Sequence, residues 1–230
     1  MKILFISNGT EEKNGWCIHT KALVDGMQQA GHDVCHATNL GPPLSYLTNP
    51  LYAYIKARAV RKEIQKLQPD IIHITVEPYA AMLPQLGRDV ATKTILTIHG
   101  SYGVRMFQGF INKKRGHFAI KHIHACIVVS AYTKKRVLEE VQKLFGESAA
   151  EEFAKKITII QNCATPPSAT ENPSNTKKQI LCVGGVKPRK GILESLQALQ
   201  LYRKDHDDNV HFTVVGTYNP EDAYAQTLKQ

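Results

Sequence analysis

The chain has 230 residues, of which 43% are hydrophobic, and it carries a net charge of +9. This length and composition are ample for one large packed domain or two small ones. No apolar run approaches the roughly 18 residues of a membrane-spanning helix, and the apolar residues 3–6 are too few for an export signal. The five cysteines form no C-x-x-C pair, so we expect free thiols and a cytoplasmic protein.

Short β-branched runs alternate with helical patterns along the first two thirds of the chain. Predicted strands cover residues 2–7, 33–37, 70–75, 93–98, 125–130 and 157–161, and predicted helices cover residues 17–31, 51–67, 79–88, 103–122 and 131–145. Gly31 and Pro69 end the first two helices, and Gly116 divides the fourth. This alternation predicts an α/β fold in which helices cover both faces of a parallel sheet.

The alternation stops at residues 163–178, which are rich in Pro, Ser, Thr and Asn, and then restarts. The restart predicts strands over 179–184 and 210–216, a helix over 190–204 and a helix start near 220. We therefore predict a first domain over 1–165, a linker over 166–178 and the start of a second domain over 179–230. So short a second unit is too small to bury a good core by itself.

A glycine-rich turn with cations follows the strand predicted at 179–184. Within residues 183–191, Gly184 allows close approach of backbone N–H groups to an anion, and Arg189 and Lys190 add positive charge before the next helix begins. The segment indicates a phosphate pocket. The alternative is an ordinary strand-to-helix turn with exposed cations.

Polar side chains also follow the predicted strands of the first domain, namely Asn8, Glu77, His99, Ser130 and Asn162. Ligands of open parallel sheets bind at the carboxyl ends of the strands, so this edge is the candidate site. His99 is the strongest candidate because an imidazole can both donate and accept hydrogen bonds. A histidine there can also merely cap a loop, and Glu77 can merely begin the next helix.

Several other chemistries have no sequence support. The chain lacks a G-x-G-x-x-G after the first strand, a Walker A motif and a G-x-S-x-G motif. His117, His122, His124 and Cys126 lack paired zinc-ligand spacing, and the acidic residues 205–208 precede a strand, at the wrong edge of the sheet. We expect no bound metal and no cofactor.

Six blocks of the sequence resemble, in order, motifs of the large GT-B glycosyltransferase family known as family 4. They are residues 14–15 with 31–34, 69–73, 97–100, 127–133, 156–162 and 183–191. They are similar to the family's GG…GHEV, PDVVH, T-x-H-G/D, V-x-VS-x-x-T, KI-x-VIPNG and VGRLVPEKG motifs. The resemblance spans the whole acceptor-side domain and the opening third of the donor-binding domain, and it implies Rossmann-like sheets.

The resemblance implies transfer of a sugar from a nucleotide sugar to an acceptor hydroxyl, without a bound metal. It implies that Gly15 brings backbone N–H groups to the donor phosphates and that His99 lies at the reacting sugar. Lys190 would neutralise the leaving diphosphate.

Three departures limit what the resemblance implies. Gly185 stands where the family has a phosphate-clamping arginine, residue 163 is not the glycine of the PNG turn, and the E-x7-E segment that holds the nucleotide and sugar is not in these 230 residues. We expect this shortened chain to lack full donor binding, which leaves its own enzymatic activity open. The alternative is a non-catalytic module that binds an acceptor or a partner.

The cationic segments fit an enzyme whose first domain receives a carbohydrate or lipid-linked acceptor. Arg58, Lys62 and Lys66 recur every four residues and form one stripe on a helix. Together with Lys113, Lys114 and Arg115, this stripe predicts peripheral contact with an anionic membrane, at its inner face. A solvated surface and nucleic-acid binding are the other interpretations of the charge. Without a nucleic-acid-binding motif we expect no nucleic-acid partner.

Overall fold

The computed structural model describes residues 1–11, 14–37, 40–162, 178–206 and 210–228. The chain divides into two compact units, Met1–Ala164 and Thr165–Gln230, and each is considered by itself below. Residues 166–177 of the predicted linker lie outside the described residues, as do residue 163 and residues 207–208 of the acidic run.

The described part of the first unit contains a six-stranded sheet in which every neighbouring pair of strands is parallel. The strands are β1 (Lys2–Ile6), β2 (Asp33–His36), β3 (Ile71–Ile74), β4 (Thr94–Ile98), β5 (Ala125–Val128) and β6 (Ile157–Ile159), in the order β2-β1-β3-β4-β5-β6. The predicted α/β class and Rossmann-like parallel sheet are thereby confirmed.

Helices connect these strands. They are α1 (Gly15–Gln29), α2 (Ser45–Thr48), α3 (Pro50–Leu67), α4 (Leu83–Leu86), α5 (Arg88–Ala91), α6 (Ser101–Arg105), α7 (Phe110–His122), α8 (Ala131–Phe145) and α9 (Glu147–Lys155). Gly31 follows the end of α1 with a φ of 80°, a left-handed conformation that glycine adopts without strain. The residues before Pro69 close α3, as predicted.

Alternate side chains of β1 enter two apolar clusters on opposite faces of the sheet. Leu4 and Ile6 belong to the larger cluster, which includes Ala53, Ala57 and Val60 of α3. Ile3 and Phe5 belong to the smaller one, with Val24 of α1. Helices therefore cover both faces, which explains why the strands are apolar on both sides.

Two helical predictions need correction. Gly116 does not divide the segment 103–122; the break lies between α6 and α7, where Gly109 has a φ of 81°. Gly116 lies inside α7. A Cβ at this position would collide with the ring of Phe107, so packing favours glycine here. The helix predicted over 79–88 is a 3₁₀ segment, Glu77–Met82, followed by the short helices α4 and α5.

The strand order places a topological switch point between β1 and β3. The connection that leaves β1 leads to β2 on one side, and the next connection returns to β3 on the other side. Loops that leave two neighbouring strands in opposite directions open a crevice at their carboxyl ends. Ser7-Asn8-Gly9 and Thr75 lie at this edge.

The second unit contains two parallel strands among its described residues, β7 (Lys178–Val183) and β8 (Val210–Val215), with α10 (Ile192–Asp205) and α11 (Ala223–Thr227). Ile192, Leu199, Val210 and Ala225 are buried in it. Apolar side chains of the strands stay open to solvent, with Leu181 63% and Val183 67% exposed. The few buried residues agree with the small core expected from its length.

Candidate functional site

His99 follows the carboxyl end of β4 and is held there through its main chain. Its backbone N–H donates to Glu77 Oε1 at 2.6 Å, and the N–H of Gly100 donates to the same oxygen at 3.3 Å. Glu77 is completely buried. Its carboxyl group therefore lies beneath the site and fixes the backbone, instead of lining the cleft as predicted from the sequence.

The ring of His99 is oriented by a second contact, from Nε2 to the carbonyl oxygen of Thr75 at 3.0 Å. A carbonyl only accepts hydrogen bonds, so Nε2 carries the hydrogen. In the neutral imidazole Nδ1 is then an acceptor. Among the described residues Nδ1 has no hydrogen-bond partner, so it is available to a hydroxyl group of a ligand.

The environment of Glu77 favours its neutral form. Burial raises the pKa of the Glu77 carboxyl group, although the N–H groups of His99 and Gly100 act in the opposite direction. Within the described part of the chain, Glu77 Oε2 is buried without a hydrogen-bond partner. An acid with these surroundings resists ionisation.

A second histidine, His19 of α1, packs edge-on against His99 with 4.6 Å between the ring centroids. Burial, followed by the nearby His99, lowers the pKa of His19 to about 4. His19 is not among the site residues predicted from the sequence. One feature of the sequence could have indicated it. His19 lies four residues after Gly15, and residues at this spacing lie on the same side of a helix.

A short hydrogen bond joins α1 to the end of β3, next to His19 and His99. Thr20 Oγ1 of α1 lies 2.7 Å from Thr75 Oγ1, and both residues are buried. Because the Thr75 carbonyl also accepts from His99, α1 and the ring of His99 share one support. The helix α1 and the end of β3 are thereby joined.

Gly15 is the first residue of α1, and its surroundings are open. The side chain of Asn14 caps this helix by accepting from the N–H of Cys17 at 3.1 Å. Apart from its chain neighbours and its own helix backbone, no described residue places a heavy atom within 4 Å of where a Cβ of Gly15 would be. Neither packing against the described residues nor a positive φ requires glycine at this position.

The other predicted site residues of the first unit do not gather around His99. Asn8 lines a separate cavity of about 560 Å³ with Ser7, Gly9 and Leu40, and in the described structure its buried Oδ1 has no hydrogen-bond partner. Ser130 caps α8, since its Oγ accepts from the N–H of Thr133 at 3.0 Å.

Asn162 is exposed after β6. Its side chain adds no contact to the cluster around His99 among the described residues.

A cavity of about 440 Å³ lies beside His99. It is bounded by the end of β4, by α6 and by the first turns of α8. Its lining includes Ser101, Arg105, Tyr132 and Arg136. In the sequence, nothing separates Arg105 and Arg136 from the other basic residues that give the chain its positive charge.

In the second unit, the glycine-rich turn brings Lys190 against Gly184. Gly184 has a φ of 140°, and a Cβ there would lie 2.9 Å from Lys190 Nζ. Arg189 and Lys190 form an exposed 3₁₀ turn before α10. Gly216, which the sequence pattern does not single out, follows β8 and leaves room for the carbonyl of Gly184. The turn is compatible both with a phosphate pocket and with an ordinary strand-to-helix turn.

The predicted cationic surface is only partly correct. Arg58, Lys62 and Lys66 are exposed on α3, and Lys113 and Lys114 are exposed on α7. Arg115 is instead 7% exposed. Its guanidinium donates to the carbonyl oxygens of Tyr46 at 3.3 Å and Pro50 at 3.2 Å. Arg115 thus joins α7 to the start of α3 and cannot contact a membrane.

The described residues offer neither a metal-binding cluster nor a membrane-spanning helix. Among them, no three His, Cys, Asp or Glu side chains come together in a way that could hold a metal ion. Nor does the described part of the chain contain a helix with both the length and the apolar content to cross a bilayer.

Residues 14–144 match the family model of Glycosyltransferase Family 4. Among solved structures, HepE of Anabaena in complex with UDP is 15% identical with a TM-score of 0.58; the match covers 100% of this chain and 65% of that one. HepE in complex with UDP and glucose is 14% identical with a TM-score of 0.53 and the same coverage. MurG of Acinetobacter baumannii is 15% identical with a TM-score of 0.47, covering 98% of this chain and 69% of that one.

No curated protein sequence matches the chain. At such low identities the likeness to HepE shows a shared fold and no more. The chain spans 65% of the length of the HepE structures.

Proposed function

Because the chain belongs to glycosyltransferase family 4, we propose that it serves the transfer of a sugar from a nucleotide sugar to an acceptor hydroxyl. The observation that carries the proposal is the arrangement at His99. Its ring is oriented by Thr75, its backbone is fixed by Glu77, and its Nδ1 is available at the carboxyl edge of a parallel sheet. HepE, which shares the fold, was solved with UDP and glucose, which supports a nucleotide-sugar donor.

In this proposal each candidate residue has a role set by its chemistry. His99 Nδ1 accepts a hydrogen bond from a hydroxyl of the reacting sugars and so positions it. The open backbone at Gly15 approaches the donor phosphates. Considered by itself, the turn of the second unit with Gly184, Arg189 and Lys190 is suited to a phosphate, and Lys190 supplies the charge that would stabilise a leaving diphosphate.

A second candidate function, binding of an acceptor or partner without catalysis, is favoured by Gly185. The motif of the family has an arginine at this position, and a Cβ at Gly185 would lie 2.6 Å from Thr217 Oγ1. A side chain at this position would require Thr217 to move, so the turn as it stands suits glycine. Donor binding by this chain is weaker in either case than a complete phosphate clamp would give.

The two candidates are separated by assaying the 230-residue chain with UDP-, GDP-, ADP- and dTDP-sugars and a panel of saccharide acceptors. Release of a nucleoside diphosphate that depends on the acceptor supports transfer. His99→Ala should then lower turnover by about 100-fold or more, without loss of the folded state by circular dichroism. Turnover that is unchanged in His99→Ala contradicts the role of His99, and its complete absence in the wild-type chain favours the non-catalytic module.

We further propose that the first unit is cytoplasmic and contacts an anionic membrane surface through the exposed cations of α3 and α7. Phe110 is 74% and Leu51 66% exposed, and Lys114 Nζ lies 4.3 Å from the centroid of the Phe110 ring. Because Arg115 and Asn112 bind carbonyl groups at residues 46–50, these apolar and cationic groups flank one helix junction. Apolar side chains next to Lys suit the interface of a bilayer.

Vesicle co-sedimentation tests this surface. We expect binding to vesicles with phosphatidylglycerol and little binding to pure phosphatidylcholine, with a decrease as salt is added. Phe110→Ser combined with Lys114→Gln should reduce the bound fraction several-fold. The matched control is Lys135→Gln, which removes an exposed charge from α8. Equal binding to both vesicle types removes the proposal.

A further inference from the structure

The cavity beside His99 has a volume typical of sites for small ligands. Its volume is about 440 Å³, within the range of roughly 300–1,000 Å³ of small-molecule pockets. The Val104 side chain contributes an apolar surface, and the other lining groups are polar, aromatic or charged. The cavity lies at the carboxyl ends of β4 and β5, where ligands of parallel sheets bind.

Two helices line this cavity with the same spacing. Ser101 and Arg105 are four residues apart on α6, and Tyr132 and Arg136 are four residues apart on α8. Residues at this spacing lie on one side of a helix. Each of the two walls thus contributes one guanidinium, with the hydroxyl of Ser101 on α6 and those of Tyr132 and Thr133 on α8.

The positive charge of this cavity is not neutralised by neighbouring residues. Within the described part of the chain, neither Arg105 nor Arg136 forms an ion pair with a carboxylate. The guanidinium of Arg105 lies 5.2 Å from the centroid of the Tyr102 ring. By contrast, Lys135, next to Arg136, pairs with Glu139 at 3.9 Å. Guanidinium groups without a carboxylate partner in a concave site favour binding of an anion.

We infer that this cavity binds the acceptor, and that the acceptor carries an anionic group, a phosphate or a carboxylate, held by Arg105 and Arg136. The inference rests on the proposed function and specifies its substrate class. His99 lines the same cavity, so an acceptor anchored by its anionic group has its remaining hydroxyls next to the imidazole. The exposed ring of Tyr132 (72%) offers a flat surface to the apolar face of a sugar.

Direct binding measurements test the inference without relying on catalysis. Isothermal titration of the 230-residue chain with glucose 6-phosphate, glucuronate and glucose compares a phosphate, a carboxylate and a neutral sugar of similar size. We expect one or both anions to bind roughly tenfold or more tightly than glucose, and their affinity to fall as salt is added. The stronger of the two anions identifies the acceptor group. Equal affinity for glucose and both anions, or no binding at millimolar concentrations, overturns the inference.

Substitutions then locate the binding site. Arg105→Gln and Arg136→Gln should each weaken anion binding by about tenfold. Lys135→Gln removes the same charge from the adjacent position of α8 and should change the affinity less than twofold. All three side chains are exposed, so the folded state is retained. Equal losses in Lys135→Gln and Arg136→Gln would show a general charge effect and overturn the inference.

The outcome is distinguishable from that of the proposed function. Transfer to neutral acceptors without any binding of anions refutes the anionic acceptor and leaves sugar transfer intact. Anion binding that depends on both arginines, in a chain that transfers no sugar, supports the anion site and refutes catalysis. The signal of Trp16, the only tryptophan of the chain, gives a second readout because its ring centroid lies 5.4 Å from that of Tyr102.

Discussion

The contact between Glu77 and the main chain of His99 is the residue-scale feature on which the site depends. A buried carboxyl group usually destabilises a fold unless hydrogen bonds compensate for its loss of hydration. Glu77 Oε1 receives two such bonds, and burial raises its pKa. The side chain is therefore a structural acceptor whose charge is not needed for the contact.

Substitution of Glu77 separates the roles of its oxygen and its charge. Glu77→Gln keeps an acceptor for the N–H groups of His99 and Gly100 and should change the free energy of unfolding by about 1 kcal/mol or less. Glu77→Ala leaves both donors unpaired above a cavity and should cost about 2–4 kcal/mol. Urea denaturation measures both. If the two variants are equally stable, the hydrogen bonds do not support the site.

His73 makes the stability of the first unit depend on pH. The ring is buried and lies 2.8 Å from Thr97 Oγ1. Burial, followed by the charges of His19 and His99, lowers its pKa from 6.5 to about 4. Between these values the unfolded chain binds a proton that the folded chain does not. The stability that the fold gains from keeping His73 neutral is therefore complete above pH 6.5, and it is lost as the pH falls towards 4.

We predict that the free energy of unfolding decreases by up to about 1.4 kcal/mol per pH unit from this residue alone below pH 6.5. His73→Gln retains a group that can bond to Thr97 but does not titrate. Urea titrations at several pH values between 7 and 4 measure the free energy of unfolding. Its slope against pH should be smaller for this variant, by an amount that corresponds to about one bound proton. An unchanged slope would mean that folding does not lower the pKa of His73.

At the scale of single elements, two glycines inside helices are expected to respond in opposite ways to substitution by alanine, one through helix propensity and the other through packing. Gly26 of α1 has no positive φ, and a Cβ added to it would meet no atom within 4 Å, whereas Gly116 of α7 faces the ring of Phe107. We predict that Gly26→Ala stabilises the protein by about 0.5–1 kcal/mol. Gly116→Ala should destabilise it by about 1–3 kcal/mol. Thermal and urea unfolding compare them, and a stabilising Gly116→Ala would contradict the packing.

Ser130 offers a further prediction for an element, because its hydroxyl caps α8. Ser130→Ala should lower the free energy of unfolding by about 1 kcal/mol, and Ser130→Asp, another good N-cap residue, should restore most of it. The same urea titrations serve as the measurement. Loss of stability in both variants would indicate that the hydroxyl has a role beyond the cap.

The sequence was sufficient for the strands and most helices because these depend on local patterns. Apolar runs such as residues 71–74 and 125–128 identify buried parallel strands without knowledge of their partners. The patterns did not predict α9, since Gly146, with a φ of 91°, resembles the end of a helical region and in fact allows a second helix to begin. Whether a glycine ends a helix or packs inside it depends on distant residues such as Phe107.

The candidate site was predictable in part for the same reason. His99 follows a strand, and strand ends meet at one edge of a parallel sheet. Arg115 could not be distinguished from Lys113 and Lys114, because its burial depends on carbonyl groups about 65 residues away in the sequence. His19 was missed because only the fold brings α1 against the end of β4.

At the scale of the whole molecule, the two units differ in how much apolar surface they bury. Leu96 and Ile98 of β4 are completely buried, whereas Leu181 and Val183 of β7 are largely exposed. We predict that amides of β7 and β8 exchange with solvent at least about tenfold faster than those of β4. Hydrogen exchange with mass spectrometry on the full chain measures this. Equal protection would indicate that the exposed strands are covered in solution.

The anchoring of residue 99 has a consequence for how this protein can diversify. The carboxyl group of Glu77 accepts hydrogen bonds from the backbone N–H groups of His99 and Gly100. These bonds do not involve the side chain at position 99, so the backbone there is held whichever side chain it carries. We therefore expect that a different amino acid at position 99 leaves the surrounding backbone in place. Evolution, or an engineer, can alter the chemistry there without first redesigning the support.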